Sequence, residues 1–186
     1  MNERVLYRKY RPAQWSEVLG QPHIVAVLKT AAEEHTIAHA YLFSGSRGTG
    51  KTSVARIFAA AIDCTPTDLY EIDAASNRGI DEIRNLKEGV RTAPARGGYK
   101  VYIIDEAHML TGPAFNALLK TIEEPPAHAV FILATTEFEK VPVTITSRTQ
   151  RFLFKKISKI HIIEKLSKIA KEEKIKIDDS ALEIIA

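Results

Sequence analysis

Residues 45–52 read Gly-Ser-Arg-Gly-Thr-Gly-Lys-Thr, a match to G-x-x-x-x-G-K-[ST]. The apolar run Ala40–Ser44 before it reads as a short buried strand, and residues 51–62 after it read as a small-residue helix. A strand that enters a glycine-rich turn and leaves as a helix restricts the chain to an α/β architecture. The glycines let the backbone curl until successive N–H groups converge on one phosphate, and the helix N-terminus adds its positive dipole end. Gly45, Ser46, Arg47, Gly48, Thr49, Gly50, Lys51, Thr52 and Ser53 are therefore candidate nucleotide-binding residues. Lys51 is suited to the β and γ phosphates, and the Thr52 hydroxyl to a Mg²⁺ ion.

The rest of the chain alternates apolar runs with helix-period segments, as a sheet with crossover helices requires. Pro22 opens a first helix with Ile24, Val27, Leu28 and Ala31 as its expected apolar stripe. Leu69–Asp73 reads as a second strand, Ile80–Val90 as a helix and residues 100–104 as a third strand. Thr111-Gly112-Pro113 starts a helix with Phe115, Leu118, Leu119 and Ile122 on one face, ended by Pro125-Pro126. Ala129–Thr135 and residues 151–154 complete five strands. Beyond them, residues 158–173 form a lysine-rich amphipathic helix, with Ile160, Ile163 and Leu166 expected toward a core. Residues 1–156 are thus read as one sheet domain, and 157–186 as the beginning of a helical domain cut short at its second helix.

The strand Val101-Tyr102-Ile103-Ile104 ends in Asp105-Glu106. An apolar strand delivers these carboxylates to the carboxyl edge of the sheet, where ligands sit in open α/β folds. Asp105 is a candidate Mg²⁺ ligand. Glu106 is a candidate for polarising an attacking water, the role a base fills when a triphosphate is hydrolysed. On their own, two acids ending a strand read as a helix cap; the phosphate loop upstream favours the functional assignment. A hydroxyl at the end of the fourth strand, Thr135 or Thr136, is expected beside the loop strand, within reach of a γ-phosphate or a lytic water. Asp105-Glu106-Ala107-His108 also spells the box of a large helicase class. That class needs a Ser-Ala-Thr element, and the next strand here ends Ala134-Thr135-Thr136, so His108 is read as packing at a helix start.

Composition excludes other classes. Of 186 residues, 45% are hydrophobic and 26% charged, the balance of a globular domain. The net charge of +3 does not by itself mark a nucleic-acid binder. Cys64 is the only cysteine, which excludes a disulfide scaffold. Apolar runs are far shorter than the roughly 20 residues a spanning helix needs. Met1-Asn2-Glu3-Arg4 lacks the apolar segment of a signal peptide, so a cytoplasmic chain without membrane contact is expected.

Several further segments occur in a fixed order: Tyr7-Arg8-Lys9-Tyr10-Arg11-Pro12, Val18-Leu19-Gly20-Gln21, the phosphate loop, Asp73-Ala74-Ala75-Ser76-Asn77-Arg78 and the acidic strand. Residues 115–126 (FNALLKTIEEPP) and Ala134-Thr135-Thr136 through Ser147-Arg148 follow. In this combination the chain resembles the gamma/tau family of bacterial DNA polymerase III, the ATPases of the sliding-clamp loader, over essentially its whole length. The resemblance implies a P-loop NTPase module of AAA+ type, a five-stranded parallel sheet flanked by helices and followed by the start of a helical lid, using ATP and Mg²⁺. It implies that Arg8, Tyr10, Arg11, Pro12, Val18 and Leu19 lie near the adenine, and that Thr136 is the sensor. Arg148 matches an arginine that completes a neighbouring subunit's site, and Asn77 and Arg78 fall in the segment facing DNA. The implied partners are the other subunits of a five-membered ring, the sliding clamp, primed DNA gripped by its backbone, and the polymerase core through a region outside this sequence.

Three departures stand out. Thr149 follows Arg148 where the family has cysteine. The family's four-cysteine zinc module is represented by Cys64 alone, so no structural zinc is expected. The family's second sensor arginine lies past residue 186. A non-hydrolysing ring subunit would lack some of Lys51, Thr52, Asp105 and Glu106, all present here, and another AAA+ motor is disfavoured by residues 116–126 and Ser147-Arg148.

Overall fold

The structure is a computed structural model that describes residues 5–77, 79–96 and 98–186. Its centre is a five-stranded sheet of β1 (Ala40–Ser44), β2 (Leu69–Asp73), β3 (Lys100–Asp105), β4 (Ala129–Thr135) and β5 (Gln150–Leu153). All pairings are parallel, in the order β2-β3-β4-β1-β5. The helices are α1 (Leu6–Lys9), α2 (Pro22–Glu33), α3 (Lys51–Ala61), α4 (Ile80–Val90), α5 (Gly112–Glu123), α6 (Val143–Thr146), α7 (Lys159–Glu172) and α8 (Asp179–Ile185).

Strand side chains alternate between the two faces, and each face has its own core. On one, Leu42, Tyr102, Ile104, Phe131 and Leu133 pack against Ile83 and Leu86 of α4 and Phe115, Leu118 and Ile122 of α5. On the other, Tyr41, Phe43, Ile103 and Ile132 pack against Ile24 and Leu28 of α2 and Val54 and Phe58 of α3. Burying each such side chain stabilises the fold by about 1.5–3 kcal/mol. The central strands β1, β3 and β4 are covered on both faces, which is why they read as unbroken apolar runs. The edge strand β2 is half-buried at Leu69 and Ile72 and exposed at Tyr70, Glu71 and Asp73.

Two expected core positions turn outward. The α2 stripe runs Ile24, Leu28, Ala32, every fourth residue, which leaves Val27 46% exposed. In α7 the inward stripe passes through Leu166, Ile169 and Ala170; Ile160, about 120° around the helix from Leu166, is 68% exposed. The fifth strand begins one residue earlier than its apolar pattern suggests, at Gln150, and ends at Leu153. Among the described residues no helix is long and apolar enough to cross a membrane.

Candidate nucleotide-binding site

β1 hands the chain to the loop at Gly45, whose N–H donates to the Thr135 carbonyl of β4 at 3.3 Å. Gly45 has φ +143, and a Cβ there would collide with the Phe154 carbonyl, so only glycine fits. Gly50 precedes α3 with φ +96, a left-handed backbone that suits glycine, and the first turn of α3, Lys51 to Ser53, lines the cavity. Lys51 folds back along this loop, with its Nζ donating to the carbonyls of Gly45 at 2.8 Å and Ser46 at 2.9 Å. It is 6% exposed, and burial holds its ammonium below the ordinary lysine value against the opposing pull of Glu106 and Asp105.

Opposite the loop stands the tip of β3. The acidic pair is not on the strand next to β1, because β4 lies between them. The carboxylates reach across it: Thr52 Oγ1 donates to Asp105 Oδ2 at 2.7 Å. The other oxygen, Asp105 Oδ1, accepts the Glu106 N–H at 3.0 Å. Glu106 sits at φ +47, a left-handed backbone rare for a non-glycine residue and a kind of strain that clusters at functional sites. Its Oε2 accepts from Thr136 Oγ1 at 3.0 Å. The two threonines divide: Thr136 faces Glu106, whereas Thr135 Oγ1 lies 3.1 Å from His108 Nδ1.

Two cavities meet along Gly48, Gly50 and Ser53. One, of about 610 Å³, is polar; Arg11, Arg47, Lys51, Thr52, Asp105 and Glu106 line it. The other, of about 430 Å³, is apolar and is walled by Tyr10, Pro12, Val18 and Leu19 on one side and Ile157, Leu166 and Ile169 on the other. A polar half lined by amides, cations and carboxylates, joined to an apolar half, is the shape and chemistry of a nucleoside triphosphate. The donor set fits a Mg²⁺ ion as well, since a hydroxyl and a carboxylate oxygen already within 2.7 Å can share one hard cation.

Of the residues expected near the base, Arg8 is exposed and lines neither cavity; its guanidinium lies 5.7 Å from the Tyr7 ring. Arg11 belongs to the phosphate side. Arg148 lines neither cavity, and Nη2 lies 2.9 Å from Glu123 Oε1 while Nη1 donates to the Thr144 carbonyl at 2.8 Å. Asn77 precedes α4, and its Nδ2 donates to the Asp73 carbonyl at 3.2 Å; Arg78 lies outside the described residues.

Other contributors were not legible as site residues. Gln21 is fully buried, with Nε2 donating to Thr49 O at 3.3 Å and Lys155 O at 2.6 Å and Oε1 accepting the Lys155 N–H at 3.1 Å. It ties the phosphate loop to the segment leading into α7, an arrangement that a glutamine before a proline does not announce. Glu173, after α7, accepts from Lys9 Nζ and Tyr10 Oη, both at 2.6 Å. Those two donors hold the Glu173 carboxyl below the usual range, and the same bond pushes the Tyr10 phenol up.

A strand-loop-helix phosphate cradle faced by two strand-tip acids, on a β2-β3-β4-β1-β5 parallel sheet, defines a P-loop nucleotide-binding module of AAA+ type. Solved structures share the fold: the RuvB Holliday junction branch migration motor of Thermotoga maritima superposes with a TM-score of 0.75 at 21% identity, covering 95% of this chain and 59% of that one. A DNA polymerase III gamma subunit-related protein of the same organism gives 0.64 at 24% identity, over 80% and 53%. The family model described as DNA polymerase III, delta subunit, matches residues 20–78 and 67–158, and the chain belongs to that family. It is 49% identical to DNA polymerase III subunit tau of Bacillus subtilis, over 100% of this chain and 37% of that protein. It is 44% identical to subunit tau of Escherichia coli, over 100% and 32%. The chain therefore spans about a third of the length of these relatives. The Bacillus alignment runs over 207 positions against 186 residues here, so that relative carries residues with no counterpart in this chain. One cysteine cannot assemble a four-thiolate zinc module.

Proposed function

We propose that the chain is part of an ATP-binding and ATP-hydrolysing motor subunit of a clamp loader, working in a ring of subunits that places a sliding clamp on primed DNA in the cytoplasm. The observation that carries it is the Thr52–Asp105 contact at 2.7 Å below a loop whose lysine is already buried. Bound Mg²⁺ would neutralise charge on the β and γ phosphates. The loop amides and Lys51 hold those phosphates, Thr52 and Asp105 hold the ion, and Glu106 accepts the proton of the attacking water while Thr136 fixes its carboxylate. Tyr10, Pro12, Val18 and Leu19 take the base against Ile157, Leu166 and Ile169. We assign residues 1–156 to the nucleotide domain and 157–186 to the beginning of its lid, with Lys9, Tyr10 and Gln21 as the links between them.

Arg148 is the charge offered to a neighbouring subunit's nucleotide, and Asn77 with Arg78 the contact to the DNA backbone. Relatives named as DNA polymerase III tau subunits support a role in replication. The test is ATP turnover by the full-length protein in its assembly, with and without primed DNA and clamp. Stimulation by both, lost in Lys51→Ala together with tight ATP binding, is expected. Turnover indifferent to DNA and clamp would overturn the loader assignment, and tight binding by Lys51→Ala would overturn the phosphate site.

A further inference from the structure

The imidazole of His108 has no part in the steps above, yet it is among the most constrained side chains near the site. It belongs to a single 3-10 turn, Ala107–Met109, and its side chain is 6% exposed. Nδ1 lies 3.1 Å from Thr135 Oγ1 and 3.5 Å from Glu106 Oε2, and Nε2 lies 3.1 Å from Glu137 Oε1. One hydrogen arrangement satisfies every strong contact. Thr135 Oγ1 accepts the Glu137 N–H at 3.0 Å, so its own hydrogen is free for Nδ1. Nε2 then carries the ring hydrogen and donates to the Glu137 carboxylate. Glu137 is in turn paired with Lys140 at 2.7 Å, and its carboxyl lies below the usual range, chiefly through Lys140.

The position of this ring gives it a task. The β3–β4 register runs to Ile104 opposite Leu133; past that point the two tips are joined through side chains. Glu106 is at the end of β3 in a left-handed conformation, so regular backbone geometry does not set where its carboxylate points. On one side it is held by Thr136, and on the other it faces the imidazole.

We propose that His108 is a positioning residue that fixes the spacing between the β3 and β4 tips and so aims the Glu106 carboxylate. The proposal rests on Glu106 being the hydrolytic base, and it is tested by three substitutions. His108→Phe keeps a ring and removes both nitrogens, and His108→Ala removes the ring. His108→Asn restores an amide near Nδ1, within reach of Thr135 and Glu106.

In the full-length protein within its assembly, Phe and Ala should lower kcat by about 10- to 100-fold, the cost of misplacing a reacting group by about an ångström. ATP affinity should stay within about twofold, and Asn should recover several-fold of the lost kcat. Wild-type turnover in His108→Phe, a loss expressed in affinity alone, or no recovery with Asn would overturn the assignment. If these variants do not fold, Glu137→Ala loosens the outer anchor at a half-exposed side chain. An unchanged kcat there would overturn it equally. Glu106→Gln separates the base from its positioning residue: if it turns over like wild type, the base assignment falls first. If Glu106→Gln is dead while His108→Phe is normal, only the positioning role falls.

Discussion

The tip where β3 and β4 end and the turn that carries Arg148 are both polar, yet they are built in opposite ways. At the tip, Thr52, Asp105, Glu106, His108, Thr135 and Thr136 find partners among themselves. The Arg148 side chain, by contrast, is 40% exposed and is held by Glu123, whose side chain is itself 38% exposed. An exposed pair of this kind adds little to folding, typically well under 1 kcal/mol. In the first region the polar side chains satisfy one another within one chain. The second carries the charge proposed above for a neighbouring subunit, and within this chain it is held by Glu123 and the Thr144 carbonyl.

The sharpest way to break this contrast is Arg148→Ala. In an assembled ring it should reduce ATP turnover by about 10³-fold or more, the usual worth of an arginine supplied from a neighbour. The isolated protein should bind ATP as before, by fluorescence or calorimetric titration. If affinity fell in the isolated protein, Arg148 would be acting on its own nucleotide and the contrast would collapse.

Lys51 offers a pH test on the other side. Burial depresses its pKa, and triphosphate beside the ammonium favours the protonated form. Nucleotide binding at alkaline pH should therefore take up a proton, and affinity should weaken as pH rises through the depressed value. In the nucleotide-free protein the sign is opposite for stability. The cost of burying the charged ammonium is present at neutral pH and is relieved as pH climbs from the depressed value toward that of an ordinary lysine. Calorimetry in two buffers with different protonation heats reads the proton count; proton release would contradict the placement of Lys51.

Glu123→Gln sharpens the contrast with a smaller effect. Loosening the arginine should change ring turnover by a few-fold, in the direction set by whether the ion pair aims or restrains it. Stability should move by less than about 0.5 kcal/mol in a denaturant melt, because the pair is exposed. A large loss of stability would mean that Glu123 is a structural anchor instead.

The two regions also differ in how much of them the sequence discloses. The phosphate loop is eight consecutive residues whose geometry is local, so Gly45, Gly50, Lys51 and Thr52 were readable without a fold. The acidic tip was readable as a strand ending in carboxylates. The place of the fourth strand beside the loop strand was expected as well, and the sheet order bears it out, with β4 between β1 and β3. His108, read as packing, is indeed buried, but its contacts to residues 135 and 137 join segments nearly 30 positions apart. Val27 and Ile160 look apolar enough to be core and are not, since helical phase is decided by the stripe that best fits the neighbouring elements. Arg148 follows a short surface helix, a position from which it could reach a neighbour's nucleotide, but only the family resemblance tips that reading over an ordinary surface arginine.

Tyr102, on β3, sets the baseline against which both regions are judged. It is 1% exposed, stacks on Tyr70 at 5.0 Å and Phe131 at 5.4 Å, and its hydroxyl has no hydrogen-bond partner among the described residues. Burial pushes the phenol up, well clear of its usual value. A buried hydroxyl without a partner carries its desolvation cost uncompensated, on the order of 1–3 kcal/mol, so removing the oxygen should help the fold. Tyr102→Phe keeps the stacked rings and should raise Tm by about 2–4 °C per kcal/mol recovered. ATP affinity and ring turnover should not change, since the hydroxyl lines neither half of the nucleotide cavity. A Tm that falls would show that the hydroxyl is partnered after all. A change in turnover at constant Tm would show that the β3 tip responds to packing changes at the sheet edge, and the tip could no longer be treated as a self-contained device.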